Sequence, residues 1–255
     1  MKIISFTNQK GGVAKTTSCL NVGAALAIEG KKVLLIDLDP QGSLTKCVGI
    51  CNLDQQDVTT YEVLKGNASI TKAIRCISRT ACYDIIPVDI RMSGAEIELI
   101  SIPGRDYLLK EALTELKSCY DYVLIDCNPS LNILTLMALT ASDSVIIPVA
   151  TQYMPLDGVA QLLRTIELVQ KRLNKGLKIG GVIVTMYDSR RSMDKQIIES
   201  IQARFPNETY KAIVKSNSKL AEAPTFGQDI FEYDARSAGA KAYKAIAVEL
   251  LEREV

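Results

Sequence analysis

The residues best suited to chemistry form a short stretch near the start of the chain that is rich in lysine, glycine and threonine. In order they are Lys10, Gly11, Gly12, Val13, Ala14, Lys15, Thr16 and Thr17. Residues 2–7 are β-branched and apolar, and residues 18–27 have helical spacing, so we predict a strand, a loop and a helix. Backbone N–H groups and the positive end of a helix dipole converge in such a loop, which suits a polyphosphate. Lys15 would bring a cation to the β- and γ-phosphates, and the Thr16 hydroxyl would reach Mg²⁺.

This stretch departs from the phosphate-loop pattern G-x-x-x-x-G-K-[ST] at two positions. Ala14 stands in place of the second glycine and Gln9 in place of the first, while Lys10 adds a lysine at the front of the loop. The alternative interpretation is a Gly-Gly turn with incidental lysines. The strand before the loop and the helix after it favour phosphate binding.

Carboxylates stand at or just after the ends of two further apolar runs. Residues 31–37 end in Asp37, with Asp39 two residues later, and residues 120–126 end in Asp126. Continuous apolar runs of this length are typical of strands buried on both faces of a parallel sheet, where ligands collect at the carboxyl ends. Asp126 is therefore predicted to assist Mg²⁺ binding. The alternative is that it caps a helix that begins near Leu131.

The order of elements predicts an α/β fold, with a mostly parallel twisted sheet and helices on both faces. Further strands are predicted at 83–88, 144–149 and 179–186, and helices at 60–66, 106–119, 156–173 and 237–251. Residues 43–82 are predicted as short helices, and the part after residue 186 as helices alternating with short strands. Since no repeat or linker interrupts the chain, we expect residues 1–255 to form a single domain.

Composition excludes several classes of site. The 255 residues include no histidine, which excludes Ser-His-Asp and Cys-His machinery and most catalytic zinc sites. The seven cysteines lack C-x-x-C spacing, so we expect neither a zinc site nor a disulfide framework. No apolar run approaches the roughly 20 residues that span a bilayer. We therefore expect a cytoplasmic protein that does not bind membranes.

Positive charge is concentrated in one part of the chain. Residues 164–219 carry 12 basic and 5 acidic side chains, a local charge of +7, although the whole chain has a net charge of only +1. Such a segment is compatible with an ordinary solvated surface. It also meets the requirement for binding a phosphate backbone without regard to sequence.

Taken together, these stretches resemble the deviant Walker A ATPases of the ParA/Soj/MinD group over essentially the whole chain. The resemblance rests on residues 10–17, 37–42, 125–127, 185–190, 220–224 and 233–243, and the last two blocks favour the ParA/Soj branch. It implies a P-loop ATPase fold with ATP and Mg²⁺ as ligands. It also implies that Lys10 reaches the partner's phosphates in a nucleotide-sandwiched homodimer. Lys15 and Thr16 would hold phosphate and Mg²⁺, Asp39 would orient the attacking water and take part in the metal site, and Asp126 would support Mg²⁺ through a water. Met186, Ala223 and Pro224 would lie near the adenine.

The same resemblance implies a weakly active partition ATPase. Its ATP-bound dimer would coat nonspecific double-stranded DNA on the nucleoid and be released when a ParB-like or other cargo adaptor stimulates hydrolysis. The residues aligned with the family's DNA-contacting stretches are Arg190, Arg191, Lys215 and Lys219. The alternative is a MinD-like membrane-associated ATPase, which needs a basic amphipathic C-terminal helix. Residues 249–255 are instead acidic and short. A third alternative, an iron–sulfur electron carrier, would need paired cysteines.

Three residues depart from the family's usual pattern. Ala14 replaces a glycine, Asn128 a proline and Gln152 a residue that is often glutamate. If position 14 requires a positive φ, its Cβ would cost on the order of 1 kcal/mol or more. We still expect ATP to bind, because both lysines and Thr16 remain.

Overall fold

The computed structural model describes residues 1–78, 82–151 and 156–253. Its strands are β1 (Lys2–Phe6), β2 (Val33–Asp37), β3 (Arg75–Ser78), β4 (Cys82–Ile86), β5 (Tyr122–Asp126), β6 (Ser144–Ala150) and β7 (Lys178–Thr185). They form one sheet in the order β3-β4-β2-β5-β1-β6-β7. All neighbours are parallel except β3 and β4. The predicted α/β class with a mostly parallel sheet is confirmed.

Helices connect the strands and follow the last of them. They are α1 (Lys15–Ile28), α2 (Ser43–Cys47), α3 (Thr60–Leu64), α4 (Ile70–Ala73), α5 (Met92–Ile100), α6 (Leu108–Leu113), α7 (Ile133–Ala141), α8 (Leu156–Arg172), α9 (Ser192–Arg204), α10 (Ser218–Glu222), α11 (Ile230–Asp234) and α12 (Ala238–Arg253). Short 3₁₀ turns cover Arg105–Tyr107, Thr114–Leu116 and Ala223–Phe226. No helix of the described residues combines the length and apolar composition that crossing a bilayer requires.

Packing of α1 against the sheet positions the phosphate loop. Its Gly23 lies so close to β2 that a Cβ there would stand 2.6 Å from Leu35 Cδ2. On its other side α1 packs against α12, and the Tyr243 and Ser18 hydroxyls are 3.1 Å apart. A second apolar core, which includes side chains of α6 and α7, also packs against β2 and β5. Strands β2 and β5 are completely buried, which explains their unbroken apolar sequences.

Strand register brings the predicted acidic residues to the phosphate loop. Asp126 is the register partner of Phe6 in β1 and of Asp37 in β2. The carboxyl ends of three neighbouring strands therefore meet at the edge of the sheet where α1 begins. The nucleotide site predicted from the sequence requires this adjacency.

Several element predictions were wrong in detail. Residues 43–82 contain β3 besides short helices, because residues 75–78 pair with β4 as an antiparallel edge strand. The helix α5 was missed, and the helix expected at 106–119 is α6 flanked by two 3₁₀ turns. After β7 the described chain has no further strand, because residues 209 and 215 form only isolated bridges to β7 and to Tyr187.

Candidate nucleotide-binding site

The loop between β1 and α1 has the geometry of a phosphate cradle. Gly12 adopts a φ of 71°, and the N-cap residue Ala14 makes no side-chain capping bond, which leaves the first amide groups of α1 for a ligand. Lys15 is largely buried at the start of α1, where its Nζ donates to the Lys10 carbonyl at 3.0 Å. Burial lowers the pKa of Lys15, and the nearby Asp126 carboxylate partly opposes this effect. A phosphate group would satisfy this desolvated cation.

Ala14 is strained in this loop. Its φ of 62° and ψ of 36° are left-handed, a region that costs an L-residue roughly 1–2 kcal/mol and glycine very little. The cost predicted for Ala14 depends on a positive φ, and the structure meets that condition. The Val13 carbonyl next to it accepts a hydrogen bond from Thr185 Oγ1 at 3.1 Å, so β7 helps to hold the loop in this conformation.

Ala14→Gly is expected to raise the free energy of unfolding by about 1 kcal/mol, because relief of left-handed strain exceeds the entropy that glycine adds to the unfolded chain. The control is Ala27→Gly within α1, where the same change should lower stability by about 0.5–1 kcal/mol. Urea denaturation without nucleotide measures both. Equal losses in the two variants would contradict the assigned strain.

A buried carboxylate faces the first turn of α1. Thr16 Oγ1 donates to Asp126 Oδ2 at 2.7 Å, whereas Asp126 Oδ1 is buried and has no hydrogen-bond partner within the described chain. Burial, reinforced by the nearby Asp37, raises the pKa of Asp126 well above its usual range. A divalent cation would relieve both the unsatisfied oxygen and the cost of a buried charge, so these residues fit Mg²⁺. The helix-cap interpretation of Asp126 is wrong, since Asn132 accepts from Thr135 N and caps α7.

Asp39 lies two residues beyond β2, at the same edge of the sheet. Its side chain is 9% exposed, and Oδ1 accepts the Gln41 amide at 3.0 Å. The preceding Asp37 is completely buried, and its carboxylate accepts three hydrogen bonds, two from Thr45 and one from the Asp39 amide. Burial raises the pKa of Asp37 to about 7. No role was predicted for Asp37 itself, although its spacing from Asp39 was a signal.

A cleft of about 230 Å³ opens beside the phosphate loop, and Ala14, Thr17, Thr185 and Met186 line it together with residues 214–217, 220, 221 and 243. Met186 has a φ of 56°, and Ala14 and Met186 are the two non-glycine residues of the described chain with positive φ. Strained backbone of this kind concentrates at functional sites. Met186, predicted to lie near the adenine, thus lines a cleft beside the phosphate loop.

The other two residues predicted near the adenine lie just beyond the cleft. Ala223 is buried and begins the 3₁₀ turn Ala223–Phe226, which also contains Pro224, and neither residue lines the cleft. Leu220 and Ala221 of α10 occupy that wall instead. The assignment of Ala223 and Pro224 to the adenine stays a prediction, and the block 220–224 that carries them reaches the cleft through Leu220 and Ala221.

The two basic stretches predicted to bind DNA are joined by backbone contacts between residue 187 and residues 215 and 216. Tyr187 bridges to Lys215 and its carbonyl accepts from Ser216 N, so the chain just before Arg190 meets the chain just before Lys219. Arg190 is largely exposed and contacts both carboxylate oxygens of Asp188, whose pKa it holds well below the usual range. Arg191 lies 3.9 Å from the same carboxylate, and Lys219 pairs with Glu222 at 3.0 Å. The basic cluster is thus partly neutralised within the chain.

Two residues that depart from the family's usual pattern, Asn128 and Gln152, and the iron–sulfur alternative remain. Asn128 bonds to Ser130 and accepts from Thr135 Oγ1, so it orders the connection to α7, whereas Gln152 lies outside the described residues. Cys127 is buried, and the described chain holds no group of three or more potential His, Cys, Asp or Glu ligands placed to bind a metal ion.

Comparisons with known proteins agree with this geometry. The family model described as "AAA domain" matches residues 1–179. The chain is 47% identical to the sporulation initiation inhibitor protein Soj of Bacillus subtilis, over 98% of both chains. It is 43% identical to the chromosome partitioning protein ParA of Caulobacter vibrioides, over 100% of this chain and 95% of the relative.

Solved structures extend the likeness to the fold. Cobyrinic acid a,c-diamide synthase from Mycobacterium smegmatis, solved with ADP and magnesium, is 36% identical with a TM-score of 0.87, covering 100% of this chain and 95% of that one. A putative plasmid partition protein from Borrelia burgdorferi, solved with AMPPNP, is 27% identical with a TM-score of 0.84. The match covers 100% of this chain and 99% of that one. With its phosphate loop, acidic strand ends and full-length similarity to Soj and ParA, the chain belongs to the ParA/Soj family of P-loop partition ATPases.

Proposed function

We propose that this protein binds and hydrolyses MgATP and that the nucleotide state controls its dimerisation and its binding to DNA. One observation carries the nucleotide site: Lys15 and Thr16 begin α1 beside Asp126, whose Oδ2 accepts from Thr16 Oγ1 and whose Oδ1 has no hydrogen-bond partner in the described chain. We infer also that residues 1–255 fold as one ATPase domain, because strands from residue 2 to residue 185 share one sheet and α12 packs on α1.

Each residue of the site has a distinct role in this proposal. Lys15 would neutralise the β- and γ-phosphates, and Thr16 with Asp126 would hold the metal. Bound Mg²⁺ would neutralise charge on the phosphate oxygens as the bond to the γ-phosphate breaks. Asp39 orients the attacking water. Phosphoryl transfer needs positioning and charge neutralisation more than covalent chemistry, so these groups suffice.

Lys10 makes the site dependent on a second copy of the chain. Its amide and carbonyl are fixed by Asn8 and Lys15, which holds the front of the loop at the mouth of the site. We propose that its side chain reaches the phosphates of the partner protomer. Dimerisation then requires the γ-phosphate, and hydrolysis weakens the dimer.

The cluster of Arg190, Arg191, Lys215 and Lys219 is the proposed DNA-binding face. Its support is the +7 charge of residues 164–219 and the bridge between Tyr187 and Lys215, which joins the two basic stretches. Residues 188 and 222 neutralise part of the cluster in the free chain, and phosphates would compete with these carboxylates. Binding of this kind ignores sequence and weakens steeply as salt rises.

The double variant R190A/K219A is expected to bind double-stranded DNA about 10-fold or more weakly with MgATP, and its salt slope should fall by about 2 per protomer, because two phosphate contacts are lost. Fluorescence anisotropy over a salt series measures both quantities. K110A/K117A removes the same charge from exposed positions near α6 and should bind as wild type does. Unchanged DNA affinity in R190A/K219A would exclude this face.

The proposed partner is a ParB-like or other cargo adaptor that stimulates hydrolysis, and the site of action is the nucleoid in the cytoplasm. Membrane binding in the manner of MinD is disfavoured, because Tyr243, Ile246, Ala247 and Leu250 of α12 are buried in the core. The Mycobacterium neighbour is named as a diamide synthase and was solved with ADP. The similarity to it therefore supports nucleotide binding but does not indicate which reaction this chain catalyses. The higher identity to Soj and ParA favours partitioning.

The direct test is an ATPase assay with and without DNA and with calorimetric titration of MgATP. We expect binding in the micromolar to low millimolar range and slow turnover. Absence of MgATP binding in that range would refute the proposal.

A further inference from the structure

The loop that carries Asp39 is fastened at both ends to one buried carboxylate. Asp37 Oδ1 accepts the Asp39 amide at 3.1 Å, and Asp37 Oδ2 accepts both the amide and the hydroxyl of Thr45 at 2.8 Å. The two anchor points lie on either side of Pro40, Gln41 and the left-handed Gly42. The loop between β2 and α2 is thereby closed into a ring around the Asp37 side chain.

Thr45 also connects this ring to the neighbouring strand. Its Oγ1 accepts the Val88 amide at 3.0 Å, just beyond β4. The Asp37 carbonyl accepts from Thr60 Oγ1 at 3.0 Å, which attaches α3 as well. Asp37, Thr45 and Thr60 are each 2% exposed or less, so water does not compete for these bonds.

Both carboxylate oxygens of Asp37 point to donors of the protein. Three donors occupy them, in contrast to Asp126, whose Oδ1 has no hydrogen-bond partner in the described chain. The two buried acids are register partners on β2 and β5, but their hydrogen bonds suit them to different roles. Asp126 is suited to a ligand, whereas Asp37 is suited to holding the backbone.

We propose that Asp37 is a positioning residue that acts through Asp39, and that Thr45 is its partner. The proposal rests on the proposed ATP hydrolysis, for which Asp39 orients water. A carboxylate that orients water must be held to within a fraction of an ångström, and displacement by about 1 Å can cost on the order of 100-fold in rate. By holding the backbone amide of Asp39, Asp37 fixes the position from which the Asp39 side chain extends.

Asp37→Asn separates this role from folding. The oxygen of the amide can satisfy the two Thr45 donors only if its NH₂ group faces the Asp39 N–H, so the Asp39 end of the ring is released. We expect kcat to fall about 10-fold while the affinity for MgATP changes by less than about twofold. Without nucleotide, hydrogen exchange of the Asp39 amide should accelerate about 10-fold, and exchange in α1 should not change.

Substitutions of Thr45 provide a second route. Thr45→Val keeps the amide but loses the hydroxyl, so kcat should fall about threefold, and Thr45→Ser should restore most of that loss. The matched control is Thr140→Val in α7, which removes another buried hydroxyl, one bonded to the Leu136 carbonyl, and should leave kcat unchanged.

The outcomes are distinct. If wild type hydrolyses ATP and D37N matches it in rate and in Asp39 exchange, the positioning role is wrong and the proposed function stands. If D37N loses rate and MgATP affinity together, Asp37 supports the fold rather than Asp39, which also overturns the inference. A wild-type protein that does not hydrolyse ATP would overturn both proposals.

Discussion

Replacing Lys15 with alanine should weaken MgATP binding by about 100-fold or more. Lys15 is mostly buried, its Nζ bonds to the Lys10 carbonyl, and it is the cation that α1 places at the phosphate loop. A charge-assisted hydrogen bond contributes about 1.5–3 kcal/mol, and a triphosphate would lose more than one such contact. At about 1.4 kcal/mol for each factor of ten, two contacts already exceed 100-fold.

Calorimetric titration of K15A with MgATP measures this loss. Lys32→Ala, an exposed lysine just before β2, is the control of equal charge and should bind as wild type does. A K15A protein that keeps wild-type affinity would place the triphosphate elsewhere. Thermal unfolding of K15A without nucleotide shows whether the fold is retained.

Asp39→Asn should lower the rate of ATP hydrolysis by about 100-fold and leave MgATP affinity within a few-fold of wild type. A positioned base or water-orienting group contributes about 10²–10⁴ in rate, and the amide keeps the shape of the carboxylate without its charge. Because binding survives, the variant should accumulate in the ATP-bound dimer. Single-turnover kinetics separate the chemical step from product release.

The control for Asp39→Asn is Asp106→Asn, in the 3₁₀ turn before α6, which should hydrolyse ATP normally. A D39N protein with wild-type turnover would remove Asp39 from the mechanism. A protein that no longer binds MgATP would instead make Asp39 part of the binding site.

Sequence patterns were sufficient for the parts of the site that are local or that follow from parallel topology. The stretch from Lys10 to Thr17 forms the loop after β1 and the first residues of α1, as its composition predicts. Asp126 reaches Thr16 across 110 residues because parallel neighbouring strands end at the same edge of the sheet. The strain at Ala14 could be stated only as a condition, since a φ value depends on how the loop closes on β7.

The features that escaped prediction depend on long-range contacts or on patterns only a few residues long. Strand β3 has only four residues and exists because β4 offers it an edge, so its own sequence carries little signal. The ring around Asp37 could not be predicted, because it forms only when the chain after β2 folds back and brings Thr45 to Asp37. The pairing of Arg190 with Asp188 likewise changes how much of the +7 charge is available, which counting charges does not show.

The central claim is that the γ-phosphate controls assembly, and sedimentation velocity of the wild-type protein in a nonhydrolysable MgATP analogue and in MgADP tests it most directly. We predict a dimer with the triphosphate and a monomer with the diphosphate, because Lys10 of each protomer needs the partner's γ-phosphate. A monomer in both nucleotides, or a dimer that ignores the nucleotide, would contradict the account.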